Sequence, residues 1–136
     1  MRKTTFLAFM VLATIALTGC TKNDADPRDI FVGTYSVTET WTENSKVMSK
    51  PSFAMSVEKA FQNSDMLLLN NFANYGAGVT AEALVSGKSL TIPQQTLPNL
   101  KEIVGTGTLT DTSLNIIYTE TYNDLSIEVT AIAKKK

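Results

Sequence analysis

Between Ile30 and Ala133 apolar and polar residues change places at every second position in short runs broken by Gly, Pro, Asn, Asp and Ser. A period of two is the mark of a half-buried β-strand. The last run is the cleanest: Leu125, Ile127, Val129, Ala131 and Ala133 alternate with Ser126, Glu128 and Thr130. Before it, Leu114, Ile116 and Tyr118 align in residues 114–120, and Asp111-Thr112-Ser113 joins that run to residues 103–110 as a hairpin, with Gly105 and Gly107 on one face. Asn123-Asp124 supplies the next turn.

The first half is less regular. A threonine-rich first strand is expected near residues 31–42, with Trp41 at its end and a polar loop over residues 43–51. In residues 52–61, Phe53, Met55 and Val57 fit a period of two, whereas Phe53, Val57 and Phe61 fit a helical spacing; a strand is preferred. Residues 66–72 and 78–85 read as the following strands. Gly87-Lys88 turns into residues 89–92, where Pro93 removes a ladder donor and is expected to end the strand, leaving residues 94–101 as a loop. About eight short strands, evenly spaced and without a long helix, predict an all-β fold. The expected form is an antiparallel up-and-down meander closed into a small barrel, with a β-sandwich as the alternative.

The order of short motifs adds a resemblance. Phe31-Val32-Gly33-Thr34-Tyr35, Asn71-Phe72, Leu90-Thr91-Ile92-Pro93-Gln94-Gln95, Gly105-Thr106-Gly107-Thr108 and Ile117-Tyr118 together resemble small lipocalin-like (calycin-type) lipoproteins of Bacteroidetes. The resemblance spans nearly all of residues 30–133 and implies a lipocalin-like barrel with an apolar cavity. It aligns Gly33-x-Tyr35 with the Gly-x-Trp of lipocalins, whose ring helps close the barrel floor. Here tyrosine stands in place of tryptophan, and Arg28 is the only arginine beyond residue 2, so the arginine that covers that ring in the family is not matched.

The first residues carry a different pattern. Arg2 and Lys3 precede an uncharged apolar run to Leu17, which ends in Leu17-Thr18-Gly19-Cys20. A basic start, a short apolar centre and small residues at the end make a secretory signal. The last four residues resemble the bacterial lipobox, in which the cysteine is acylated and the chain is cut before it. The expected organisation is a signal peptide over residues 1–19, a lipidated Cys20 with a tether over residues 20–29, the barrel over residues 30–133 and a solvated basic tail over residues 134–136. Lys22, Asp24 and Asp26 resemble the short charged surface-export signals of Bacteroidetes lipoproteins. The expected location is the cell envelope, with the lipid in the outer membrane.

Composition narrows the chemistry. Cys20 is the only cysteine, so no disulfide staples the domain and its stability rests on the core. Cleavage before Cys20 leaves 117 residues, one domain's worth, with 10 basic against 13 acidic side chains, which argues against nucleic-acid binding. There is no histidine, which removes the commonest general base and metal ligand, so no catalysis and no cofactor are expected. Glu120 and Glu128 fall on neighbouring predicted strands, but charges on a solvent face explain them better than a catalytic carboxylate pair. Asp24, Asp26 and Asp29 lack the glycine and distal glutamate of a calcium loop, so no metal site is expected.

Two functions follow. The first is a membrane-anchored protein that holds a lipid or other small hydrophobic molecule in its barrel, with Met55, Val57, Leu68, Tyr118 and Ile127 as the lining. The second is a filled barrel that binds an envelope protein or glycan, as an inhibitor or accessory subunit, through the loops at residues 43–51 and 94–101.

Overall fold

The structure is a computed structural model that describes residues 24–136; the signal segment and Cys20 lie outside the described residues. Nine strands follow one another with each antiparallel to its neighbour, and the last pairs with the first to close the sheet. β1 (Gly33–Glu43) turns into β2 (Lys46–Ser49) and β3 (Phe53–Lys59), and β4 (Met66–Asn70) follows. A single 3-10 turn, Phe72–Asn74, leads into β5 (Thr80–Ser86) and β6 (Ser89–Thr96). β7 (Glu102–Thr110), β8 (Ser113–Tyr122) and β9 (Leu125–Lys135) complete the meander. Eight strands make the barrel wall. β2 is the extra one, pairing with the far half of β1 (Thr40 with Ser49, Glu43 with Lys46), while β3 pairs with the near half (Gly33 with Val57, Val37 with Phe53).

The β1–β2 hairpin corrects the expectation of a loop over residues 43–51 and of a strand ending at Trp41. Its turn residues Asn44 and Ser45 both have positive φ, 48° and 62°, the primed geometry that matches strand twist. Pro93 does not end β6 either. It sits with Gln94 in a bulge opposite Val104, between the pairs Ile92–Gly105 and Gln95–Ile103, where its missing N–H costs no ladder bond. Past the bulge β6 parts from β5, and Gln95 fills the gap. Its side-chain amide donates to the Glu82 carbonyl at 2.9 Å and accepts from the Glu82 N–H at 2.8 Å.

The ends of the domain are also more ordered than expected. Residues 26–31 form a turn docked on the barrel, not a free tether. Arg28 holds Asp26 and donates to the carbonyls of Ala60 (3.1 Å) and Asn63 (2.8 Å), in the turn between β3 and β4. Lys134 and Lys135 belong to β9 instead of a tail, pairing with Ser36 and Tyr35. The Lys135 ammonium lies 5.9 Å from the centre of the Tyr35 ring.

Inward positions fill the barrel. Tyr35 and Val37 of β1, Met55 and Val57 of β3, and Leu67 and Leu69 of β4 are all at most 2% exposed. Small residues face large ones: Gly105 is paired with Tyr118, and a Cβ built on that glycine would lie 2.6 Å from the Tyr118 Cβ. Each fully buried Leu, Ile or Phe contributes about 1.5–3 kcal/mol relative to exposure, and with no disulfide these contacts carry the domain.

Candidate functional site

β1 begins at one end of the barrel, beside the docked turn, and runs to the other; the first end is closed by Phe31, Tyr35 and Lys135, the second is an open rim. The sequence places Glu39 on the same face of β1 as Tyr35 and Val37, so it points inward and is only 1% exposed. A carboxylate so far from water needs partners. Tyr118 of β8 donates to its Oε1 at 2.9 Å, and the Lys50 ammonium stands 3.1 Å from Oε2, an ionic contact whose angle is poor for a hydrogen bond. Burial, then the Glu39 charge and hydrogen bond, push the Tyr118 phenol far above its usual titration range.

A second cluster stands beside the first. The 3-10 turn after β4 presents Tyr75, whose hydroxyl donates to Glu120 and accepts from the Lys101 ammonium at 2.7 Å; Lys101 also pairs with Glu120. Lys50 and Lys101 lie 4.9 and 4.5 Å from the centre of the Tyr75 ring. Burial, then the hydrogen bond to Glu120, raise the Tyr75 phenol to about 12. The turn is pinned by Asn71, whose side chain donates to the Ala54 carbonyl (2.7 Å) and accepts from the Gly76 N–H (2.8 Å). Ala73 there has φ 54°, sparsely populated for a residue with a Cβ, and its carbonyl accepts from Lys50 at 3.0 Å.

Together these groups line a cleft of about 230 Å³ at the rim, with Trp41, Ile127 and Val129 as its apolar wall and Glu43, Lys50, Tyr75, Lys101 and Glu120 as its polar side. Glu120 and Glu128 do not assemble a catalytic pair: Glu120 opposes Ile127 in the ladder while Glu128 opposes Thr119, so they face opposite sides of the sheet.

Of the five lining residues expected from sequence, Met55, Val57 and Tyr118 are buried in the barrel as core. Ile127 lies at the rim cleft. Leu68 is a correction: it points out of the barrel between the buried Leu67 and Leu69, because three consecutive leucines conceal which parity faces inward. Cys20 lies outside the described residues. Sequence reasoning missed Glu39; Lys50 and Lys101 fall within the segments it named as contact surfaces, residues 43–51 and 94–101, without being singled out. The inward parity of Glu39 after Tyr35 and Val37 was the available signal.

No protein family and no curated protein matches the chain. Among solved structures it is similar to the crystal structure of a candidate outer membrane protein of Bacteroides fragilis, with a TM-score of 0.51 and 19% sequence identity. The match covers 82% of this chain and 53% of the neighbour, so the chain spans about half the length of that protein. The two share a fold.

Proposed function

We propose that this chain is a lipid-anchored envelope protein of the Bacteroidetes type whose filled, lipocalin-like barrel binds a macromolecular partner, protein or glycan, at the rim cleft. One observation carries the reading: the interior positions that a carrier would leave to its ligand are occupied by the protein's own Met55, Val57, Tyr118, Phe72 and Tyr35. The rim cleft itself, about 230 Å³, falls below the roughly 300–1,000 Å³ of sites that engulf small molecules. Its make-up suits surface recognition. Trp41 and Tyr75 offer aromatic faces with polar tips, which are favoured at interfaces, and two lysines already paired with carboxylates stand over the Tyr75 ring.

The lipocalin-like part of the reading draws on Lys135 and Tyr35. A cation from the last strand over an aromatic ring of the first does here what arginine and tryptophan do in the resembling family. The envelope location draws on the lipobox resemblance and on the name of the Bacteroides fragilis neighbour. A binding role fits a chain without histidine better than a catalytic one.

The apolar wall of Trp41, Ile127 and Val129 favours a second reading, in which a small hydrophobic molecule is held at the rim. Trp41 is the only tryptophan, so its fluorescence reports on the cleft. Native mass spectrometry of the mature chain with a fatty-acid panel, alongside Trp41 fluorescence titrations with purified envelope glycans and outer membrane proteins, separates the two. A saturable Trp41 response to a macromolecule, lost in Tyr75→Ala, is the expected result. Stoichiometric retention of a fatty acid would overturn it.

A further inference from the structure

The docked turn sets which end of the barrel meets the membrane. Asp26, held by Arg28 and Lys59, lies at the closed end, beside the turn between β3 and β4. Cys20 is six residues before it. Six residues of extended chain reach at most about 20 Å. β1, with 11 residues, is about 35 Å long at some 3.3 Å per residue. A lipid on Cys20 therefore holds the closed end near the bilayer and leaves the rim on the far side.

That end has the surface such a position asks for. Phe61, in the turn that Arg28 fastens, is 102% exposed, an aromatic ring open to solvent. Met66 and Leu68 share a depression with it on the outer face. Lys88, Lys134, Lys135 and Lys136 are exposed at the same end. Charge differs between the ends. At the closed end Arg28, Lys59, Lys88 and the three terminal lysines stand against Asp24, Asp26, Asp29, Glu58, Asp65, Glu82 and Asp111, a near balance in which Arg28 and Lys59 engage Asp26 and Asp29. At the rim Glu43, Glu102, Glu120, Asp124 and Glu128 outnumber Lys46, Lys50 and Lys101, so an anionic surface repels the rim and tolerates the closed end.

We propose that the closed end is a membrane-contact face, with Phe61 seated at the boundary of headgroups and acyl chains and the lysines against anionic lipid phosphates. The inference rests on the reading that Cys20 is acylated. It orients the molecule: the rim cleft is presented away from the bilayer that holds the anchor.

The test uses the full chain purified from membranes and reconstituted in phosphatidylethanolamine–phosphatidylglycerol vesicles with brominated acyl chains, which quench nearby indoles. Trp41, at the rim, should keep its fluorescence. Phe61→Trp in a Trp41→Phe background should lose at least half, and Gln62→Trp, in the same exposed turn, should be quenched as well. Replacing Lys134, Lys135 and Lys136 by Gln should reduce the quenching in phosphatidylglycerol vesicles more than in vesicles without it. Unquenched tryptophan at both turn positions in a chain that floats with the vesicles overturns the proposal while leaving the anchor intact. An intact mass without acyl groups, in a chain that does not float, removes the anchor and the proposal with it.

Discussion

The Tyr118 hydroxyl, on β8, donates a 2.9 Å hydrogen bond to Glu39, on β1, 79 residues away in sequence. Glu39 is the one charged residue buried among the described residues, so this bond is part of what makes its burial tolerable. Tyr118→Phe keeps the ring and deletes the donor, leaving Glu39 Oε1 unsatisfied. The expected cost is about 1–3 kcal/mol in urea unfolding, with an unchanged m-value.

Lys50 compensates the same carboxylate from the rim, with its side chain 28% exposed. Lys50→Met should destabilise the barrel in the same assay, and Glu39→Gln combined with Lys50→Met should recover much of that loss. An unpaired buried charge costs more than a neutral group of the same shape. Recovery by the double variant marks the pair as an ionic one.

Gly105 makes room for β8. A Cβ there would lie 2.5 Å from the Ile117 carbonyl oxygen, a backbone atom that cannot swing aside. Gly105→Ala should cost at least about 1–3 kcal/mol through overpacking. Gly78, where an added Cβ would meet nothing within 4 Å, is the control, and Gly78→Ala should stay within about 0.5 kcal/mol by thermal or urea unfolding.

Gln95 replaces a stretch of ladder with its side chain. Gln95→Ala should expose the Glu82 amide, which now donates to it at 2.8 Å, and speed its hydrogen exchange at least about tenfold, while β8 and β9 amides change little. Equal acceleration across the barrel would mean that the bridge supports the whole fold.

Tyr75 gives a pH dependence with a definite sign. Burial and the Glu120 hydrogen bond raise its phenol from 10.0 to about 12. The folded state thus holds this proton more tightly than the unfolded chain. Its contribution to stability is full below pH 10 and is lost as pH rises from 10 through 12. The melting temperature should fall over that window, and less steeply in Tyr75→Phe than in the parent.

The strands with clean alternation were legible in the sequence, above all β8 and β9, because one face of each meets the core and the other meets water. β2 was not. It is four residues long and exposed throughout, and its turn uses Asn-Ser where Asn-Gly would have announced a hairpin. Pro93 misled because a proline in a bulge and a proline ending a strand look alike in sequence. Leu67, Leu68 and Leu69 carry no alternation to read. The rim cluster was hidden for another reason. Tyr75 and Glu120 stand 45 residues apart, and Lys50 reaches Glu39 from beyond a hairpin turn that the sequence did not reveal.

Closure of the sheet has a temporal consequence. Tyr35 pairs with Lys135, one hundred residues further along, so β1 lacks its partner on that edge until the final strand has been delivered. Contacts of such separation are made late and slowly, since most of the chain must be ordered before they reward its loss of freedom. A chain threaded through a membrane from its N-terminus would therefore stay open until the 11 residues of β9 emerge. The topology itself delays closure until the whole domain is available.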